Sequence, residues 1–371
     1  MSFFKKLFSS KEQVHKNPEI LLEARSPSCP ITAIVEQDAR VAYFYLWGPE
    51  NSNFGVRSCW IRNLIQAPER VEKGQMEKGF PPMLVKEYCR FPEGQERLNK
   101  RDLTIIWLEE GDGAALLLKD EIISIIPSWS GMGGFFGYAR DCKDQGDFAW
   151  EISEDNVMIE RIHESKKFYD SWTHELNPFN IQQPVILAVY EEMFGKGDKY
   201  YAIDGNEWPP KGLFRRKGES KTVFATVGLS LLPMPVVEMH TENRFDMNRI
   251  ELGIMVDSTF SENDIQQIAE WISGQAGIPW NNITFLGEGH TINFKPFNSK
   301  KFNSVVLTNR LDVLPKPQLD NYRNSRINFL WMVPVSEKER NEIIKNGSDE
   351  ILTKLNELGE QIYSLNRAEV V

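Results

Sequence analysis

The chain has no apolar run approaching the roughly 20 residues that a membrane-spanning helix needs, and its mean hydropathy is −0.41. Stable membrane insertion is therefore not expected. Cysteine is scarce: Cys29, Cys59, Cys89 and Cys142 are the only four in 371 residues, and no two form a C-x-x-C pair. That spacing excludes a disulfide-dense secreted scaffold and a zinc knuckle. Neither G-x-x-x-x-G-K-[ST] nor H-E-x-x-H occurs, so phosphate-loop and zinc-protease signatures are both missing. Positive charge is also short, with 43 basic residues against 53 acidic ones and a formal net charge of −10. This is the wrong sign for a protein held on a phosphate backbone, and no nucleic-acid partner is expected. The start, Met1-Ser-Phe-Phe-Lys-Lys-Leu-Phe-Ser-Ser, lacks the 7–15-residue apolar core of a signal peptide, which makes the cytoplasm the expected compartment. Phe3, Phe4, Leu7 and Phe8 beside Lys5 and Lys6 could touch a membrane surface, but so short a stretch buries little area, and a frayed tail is the expectation.

Apolar residues make up 41% of the chain and charged residues 26%, the balance of a globular protein rather than a disordered one. The length calls for two domains. Residues 1–30 read as a polar lead. From 31 to 158 come short apolar runs, Ile31–Val35, Val41–Trp47, Leu103–Leu108, Ala115–Leu118 and Ile122–Ile126. Their lengths and their Ile, Val, Trp and Tyr content favour strands. Gln37-Asp38-Ala39-Arg40 suits a hairpin turn, and Arg70–Gly79 reads as a loop. An acidic stretch runs from Asp141 to Glu160, the usual mark of a solvated face. Ile159–Trp172 is expected to be a helix, after which Asn177-Pro178 and Gln183-Pro184 are expected to stop any helix.

From 159 to 371 the pattern mixes both element types. Val223–Leu232, Ile250–Val256, Ile283–Leu286, Thr291–Phe294, Ser304–Thr308 and Ile327–Val333 are strand candidates. Ser261 with Asp264, and Ser336 with Glu339, mark two helix starts, because each serine oxygen can accept from the free N–H groups of the first turn. Ile265, Ile268, Ala269 and Ile272 give the first of these helices a buried face. Asn346-Gly347 ends the second, and Ile351, Leu355, Leu358 and Ile362 stripe a last helix after Ser348. The expected class is α+β, with a β-rich N-terminal half and a C-terminal mixed sheet carrying packed helices.

The motifs that could carry chemistry are weak. Gly131-Met-Gly-Gly-Phe-Phe-Gly137 misplaces the third glycine of a dinucleotide turn, and no helix-forming run follows it. Gly228-Leu-Ser-Leu-Leu232 lacks the closing glycine of a nucleophile elbow, so Ser230 reads as a strand residue. Glu238, His240 and Glu242 would share one side of an extended strand. Together with His290 they leave open a metal-dependent hydrolase with a dispersed site around His240 and His290. A solvated surface is the simpler reading. His15, His163 and His174 stand alone. No catalytic residue and no cofactor is expected. Tyr200, Tyr201 and Trp208 fall in a loop-like stretch and could anchor a protein interface.

Several blocks in the second half, in this order, resemble the suppressor of fused domain. They are Val223-Phe-Ala-Thr-Val-Gly-Leu-Ser230, Pro233-Met-Pro235, Arg249-Ile-Glu-Leu252, Gly287-Glu-Gly-His290, Val305-Val-Leu-Thr308, and Phe329-Leu-Trp-Met-Val-Pro-Val-Ser-Glu-Lys-Glu-Arg340 with Asn346-Gly-Ser-Asp-Glu350. The resemblance runs from about Ile159 to Leu365, and residues before it match no family. It implies an α+β fold and a protein-binding role without catalysis. The family's animal member holds a transcription factor by strand addition between two domains, whereas bacterial relatives include immunity proteins that neutralise toxins. No clear counterpart of the animal protein's second domain is present, so that transcription-factor peptide is not implied. The expectation is a protein partner, a cationic toxin among the options, met at the open edge of the Ile250–Val256 strand through Ile250 and Leu252, at Glu288 and His290, and at Tyr201 and Trp208.

Overall fold

The structure, a computed structural model, describes residues 18–258, 260–296 and 301–371. The basic, aromatic start and His15 lie outside them. The first sheet is an antiparallel meander of β1 (Glu19–Arg25), β2 (Thr32–Gln37), β3 (Val41–Trp47) and β4 (Val56–Asn63). The β2–β3 hairpin closes where expected, with Asp38 Oδ1 accepting from the N–H groups of Arg40 (2.6 Å) and Val41 (2.8 Å), an Asx turn. The lead is not featureless, because β1 pairs with β2 while burying Leu21 alone. β4 escaped the apolar pattern because Arg57 and Arg62 interrupt it. Arg62 is buried against Asp141 at 3.4 Å.

After a single helical turn, α1 (Lys73–Met76), the second sheet follows: β5 (Leu103–Trp107), β6 (Ala114–Leu118), β7 (Glu121–Ile126), β8 (Tyr138–Ala139) and β9 (Trp150–Glu151). β3 and β4 lie against β7. Helix α2 (Val157–Ser171) is capped by Asn156, whose side chain accepts from Met158 N at 2.9 Å. Its Met158 and Ile162 pack with Leu108, Ala115, Leu117 and Ile125 of the second sheet. The boundary expected at 158/159 falls inside α2, whose first turns pack on the second sheet. Helix α3 (Pro178–Phe194) runs through both prolines that were expected to break it. Pro178 sits in the first turn, where a missing N–H is harmless. Pro184 forfeits one internal hydrogen bond, and Ile186 and Tyr190, buried against the sheet below, hold the helix in place.

The third sheet has seven strands: β10 (Lys199–Ala202), β11 (Gly212–Lys217), β12 (Lys221–Val227), β13 (Arg249–Asp257), β14 (Thr291–Asn293), β15 (Phe302–Thr308) and β16 (Ile327–Ser336). Their order is β10-β11-β12-β13-β16-β15-β14, antiparallel except where β13 and β16 run parallel. Helix α4 (Glu262–Gln275) starts at the expected Ser261–Asp264 capping box and buries Ile265, Ile268, Ala269 and Ile272. A short α5 (Ile278–Asn281) follows, and Ile283–Leu286 after it forms no strand. Helix α6 (Glu337–Asn346) carries the second capping box, and α7 (Asp349–Glu357) buries Ile351, Leu352 and Leu355. Ile250, Leu252, Ile254 and Val256 of β13 join the α4 side of the core. Met255 faces the other side, with Phe329, Trp331 and the α3, α6 and α7 residues.

Gly253 shows how tightly that second layer is packed. A Cβ there would come within 2.5 Å of Phe329 Cζ and 3.0 Å of Trp331 Cζ3. Both rings are buried, and they meet each other at 4.9 Å between centroids. Gly253→Ala is expected to destabilise the chain by about 1–3 kcal/mol through overpacking. Urea unfolding checks this, and an unchanged midpoint would contradict it.

Candidate protein-binding surface

The sheet order disperses the residues picked out in sequence. Ile250 and Leu252 are 1% and 0% exposed, on a strand paired on both sides by β12 and β16. The expected open edge at β13 does not exist, because β16 inserts parallel beside it. Among the described residues the sheet ends at β10 and β14. Tyr201 lies on β10, whereas Glu288 and His290 lie in the loop leading to β14, at the opposite edge. Trp208 is half-buried and turned inward, packing on α2 and its end through a tilted contact with Tyr169 (5.8 Å) and an edge-on contact with Trp172 (5.4 Å).

At the β14 edge, Glu288 accepts from Asn309 N (2.9 Å) and Arg310 Nε (3.1 Å). His290 Nδ1 accepts from Gly287 N at 3.3 Å. Burial lowers the imidazole's pKa, and His240 lowers it further, against a hydrogen bond with the Phe285 backbone. Glu238, His240 and Glu242 do not share a strand, because Val237–Met239 is a 3₁₀ turn. Glu238 turns inward to Arg161, while His240 and His290 both pack on the Phe285 ring, at 4.9 and 5.0 Å. Among the described residues no three His, Cys, Asp or Glu side chains gather as metal ligands. Ser230 is fully buried in a 3₁₀ turn rather than a strand. Its Oγ donates to Glu251 at 2.7 Å, and the same carboxylate accepts from Thr226 Oγ1, Gly228 N and Ser230 N. Burial pushes the Glu251 carboxyl up to about 7 despite those donors. Completely enclosed, the pair secures the β12–β13 connection.

A cleft of about 510 Å³ separates the α2 side of the first half from the 233–249 and 323–325 segments. Most of its charges pair with one another. Arg161 binds Glu238 through two contacts (2.8 and 2.9 Å) and Glu110 at 3.0 Å. Arg244 binds Glu110 at 2.7 Å, and Arg249 and Arg323 share Glu109. This network joins the two halves.

Among the described residues, an uncovered apolar surface lies on α3 and β10. Ile181, Pro184, Val185 and Ala188 are exposed on successive turns of α3, opposite the buried Ile186 and Tyr190. Tyr200, on edge strand β10, stands beside this stripe and accepts from Gln183 Nε2 at 2.6 Å. Leu176, 75% exposed, extends the patch ahead of the helix. A helix apolar on both faces is built to be covered, and an unprotected strand end can accept another strand. The reading of isolated loop aromatics missed this surface. The signal was available in the α3 sequence PFNIQQPVILAVYEEMF, whose apolar residues exceed what one buried face needs.

Residues 203–368 match the family model described as Suppressor of fused protein (SUFU). This segment, just under half of the chain, is similar to the suppressor of fused family. The match begins just after β10, with α2 and α3 ahead of it. Among solved structures, the chain is similar to a putative SUFU homolog from Neisseria gonorrhoeae, with 18% identity, 52% of this chain and 98% of that one covered, and a TM-score of 0.37. It is also similar to a chain of the Sufu-Fu complex, with 11% identity, 51% and 92% covered, and a TM-score of 0.37. No curated protein matches. No helix among the described residues is long and apolar enough to cross a membrane.

Proposed function

We propose that the chain is a non-enzymatic protein-binding module that takes its partner on the α3 stripe and the adjoining β10 edge. The observation that carries this reading is the exposed row Ile181, Pro184, Val185 and Ala188 beside Tyr200 and the strand β10, which ends the sheet among the described residues. An extended partner segment adding to β10 would gain main-chain hydrogen bonds from the edge and side-chain contacts from the helix. The similarity of residues 203–368 to the suppressor of fused family supports the same class of role. A cationic toxin, neutralised by sequestration, is the partner that the net charge of −10 favours. In the acidic stretch, Asp144, Asp147, Glu154, Asp155 and Glu160 remain exposed, whereas Asp141 is buried against Arg62 and Arg140.

The test compares the wild-type chain with Ile181→Lys/Val185→Lys, whose sites are exposed and leave the fold intact. The native partner captured by the wild type is expected to bind the variant about tenfold or more weakly. Undiminished binding would overturn the assignment of the surface. For a cationic partner the association rate falls steeply as salt rises; a rate independent of salt would overturn the charge argument and leave the surface standing.

A further inference from the structure

The topology brings together two cysteines that are far apart in sequence. Cys89 and Cys142 face each other in an isolated antiparallel bridge between two loops of the first half. Arg90 N donates to Asp141 O (2.9 Å) and Lys143 N to Tyr88 O (2.8 Å). Those bonds flank the cysteines on both sides, which makes them a non-hydrogen-bonded pair, the closer of the two antiparallel pair types, with Cα atoms about 4.5 Å apart. Their side chains rise from the same face at a spacing inside the range that a disulfide spans. Both are buried free thiols, Cys142 donating to Ala149 O at 3.0 Å and Cys89 to Phe91 O at 3.4 Å. Tyr88, next to Cys89 in sequence, lines with Asp144, Gln145 and Trp150 an open surface concavity of about 610 Å³.

We propose that Cys89 and Cys142 form a reversible redox clasp, closed by a low-molecular-weight disulfide such as oxidised glutathione. The Cys89 thiolate attacks one sulfur of that disulfide, making a mixed disulfide and releasing one small thiolate. Cys142 then attacks the Cys89 sulfur, the Cys89–Cys142 bond forms, and the second small thiolate leaves. The two protons lost by the cysteines pass to the two released thiolates, so two protein thiols are oxidised and one small disulfide is reduced. The clasp ties the Lys86–Arg90 turn to the 140–149 loop and closes a long loop in the unfolded chain, which raises stability. It stands independently of the partner surface on α3.

The experiment treats the folded full-length chain with excess oxidised glutathione, quenches by alkylation and maps peptides without reduction. The expected results are one linked peptide containing Cys89 and Cys142, a rise in Tm of several degrees, and reversal of both by dithiothreitol. Cys89→Ser and Cys142→Ser are expected to abolish the link and the Tm rise, whereas Cys29→Ser retains them. The wild-type map alone decides the matter if a variant fails to fold. Persistent free thiols at both positions, only glutathione adducts, or a link to the neighbouring Cys59 would overturn the proposal.

Discussion

An Arg367→Ala chain is expected to lose about 3–5 kcal/mol of unfolding free energy, the usual cost of stranding one half of a buried ion pair. Arg367 and Glu339 are both fully enclosed, side chains at 0% exposure. The guanidinium grips the carboxylate through two contacts, at 2.7 and 2.8 Å. It also donates to Pro334 O and Ala368 O and lies over the Phe302 ring at 4.5 Å. Burial pushes the Glu339 carboxyl up, but hydrogen bonds from Arg367, Ser336 N and Val370 N outweigh it and leave it below the usual range. One carboxylate thus caps α6, fixes the C-terminal tail and balances a buried cation. Without Arg367, Glu339 stays buried, carrying a charge that only two backbone donors offset. The measurement is urea unfolding of the wild type, Arg367→Ala, Glu339→Gln and the double variant. The double variant should cost less than the sum of the single ones by about 0.5–3 kcal/mol. Strict additivity, or a loss under 1 kcal/mol, would refute the account.

The features that the sequence exposed are those set by neighbours along the chain. Ser261 with Asp264 and Ser336 with Glu339 form capping boxes because cap and responder are three residues apart. The β2–β3 turn is equally local, since Asp38 closes it through its own loop. Strand order is not local. Nothing in Ile250–Val256 says that β16, from far downstream, will pair parallel with it and seal the edge on which Ile250 and Leu252 were expected to meet a partner. Both faces of β13 are covered, so its apolar run has the same appearance as an edge strand's would. Pro184 misled for a different reason: a proline's local preference is fixed, but the buried Ile186 and Tyr190 outweigh it. The proposed surface was half legible. Tyr200 and Tyr201 were picked out as aromatics, whereas their place on a terminal strand beside an exposed helical stripe depends on the folded sheet.

The second large effect is expected at the joint between the halves, where Arg161 reaches from α2 to two acids on different segments. Arg161→Met keeps the stem but removes the cation from Glu110 and Glu238, at an expected cost of about 3–5 kcal/mol. The pH dependence separates this from simple loss of packing. Burial raises the Glu110 carboxyl, but Arg161 and Arg244 outweigh it and hold it down to about 2. A depressed folded-state pKa gives stability that is present above the unfolded value and lost as pH falls, so the network weakens from about pH 4.5 down to 2. In the variant only Arg244 remains on Glu110, so its folded-state pKa moves up towards the unfolded value, and the loss of stability on acidification below about pH 4.5 should shrink. Asp112 works in the opposite sense. Burial and the Glu110 charge raise it to about 6, although Val236 N donates to it at 2.7 Å. Its contribution is full below about pH 4 and fades as pH rises through 6. Asp112→Asn should therefore flatten the curve between pH 4 and 6 and leave the acid limb to Glu110. Unfolding free energies measured from pH 2.5 to 7 test both statements together. An Arg161→Met curve parallel to the wild type across that range would mean that the ion network does not join the halves, and that apolar packing such as that of Phe168 in the shared core holds them alone.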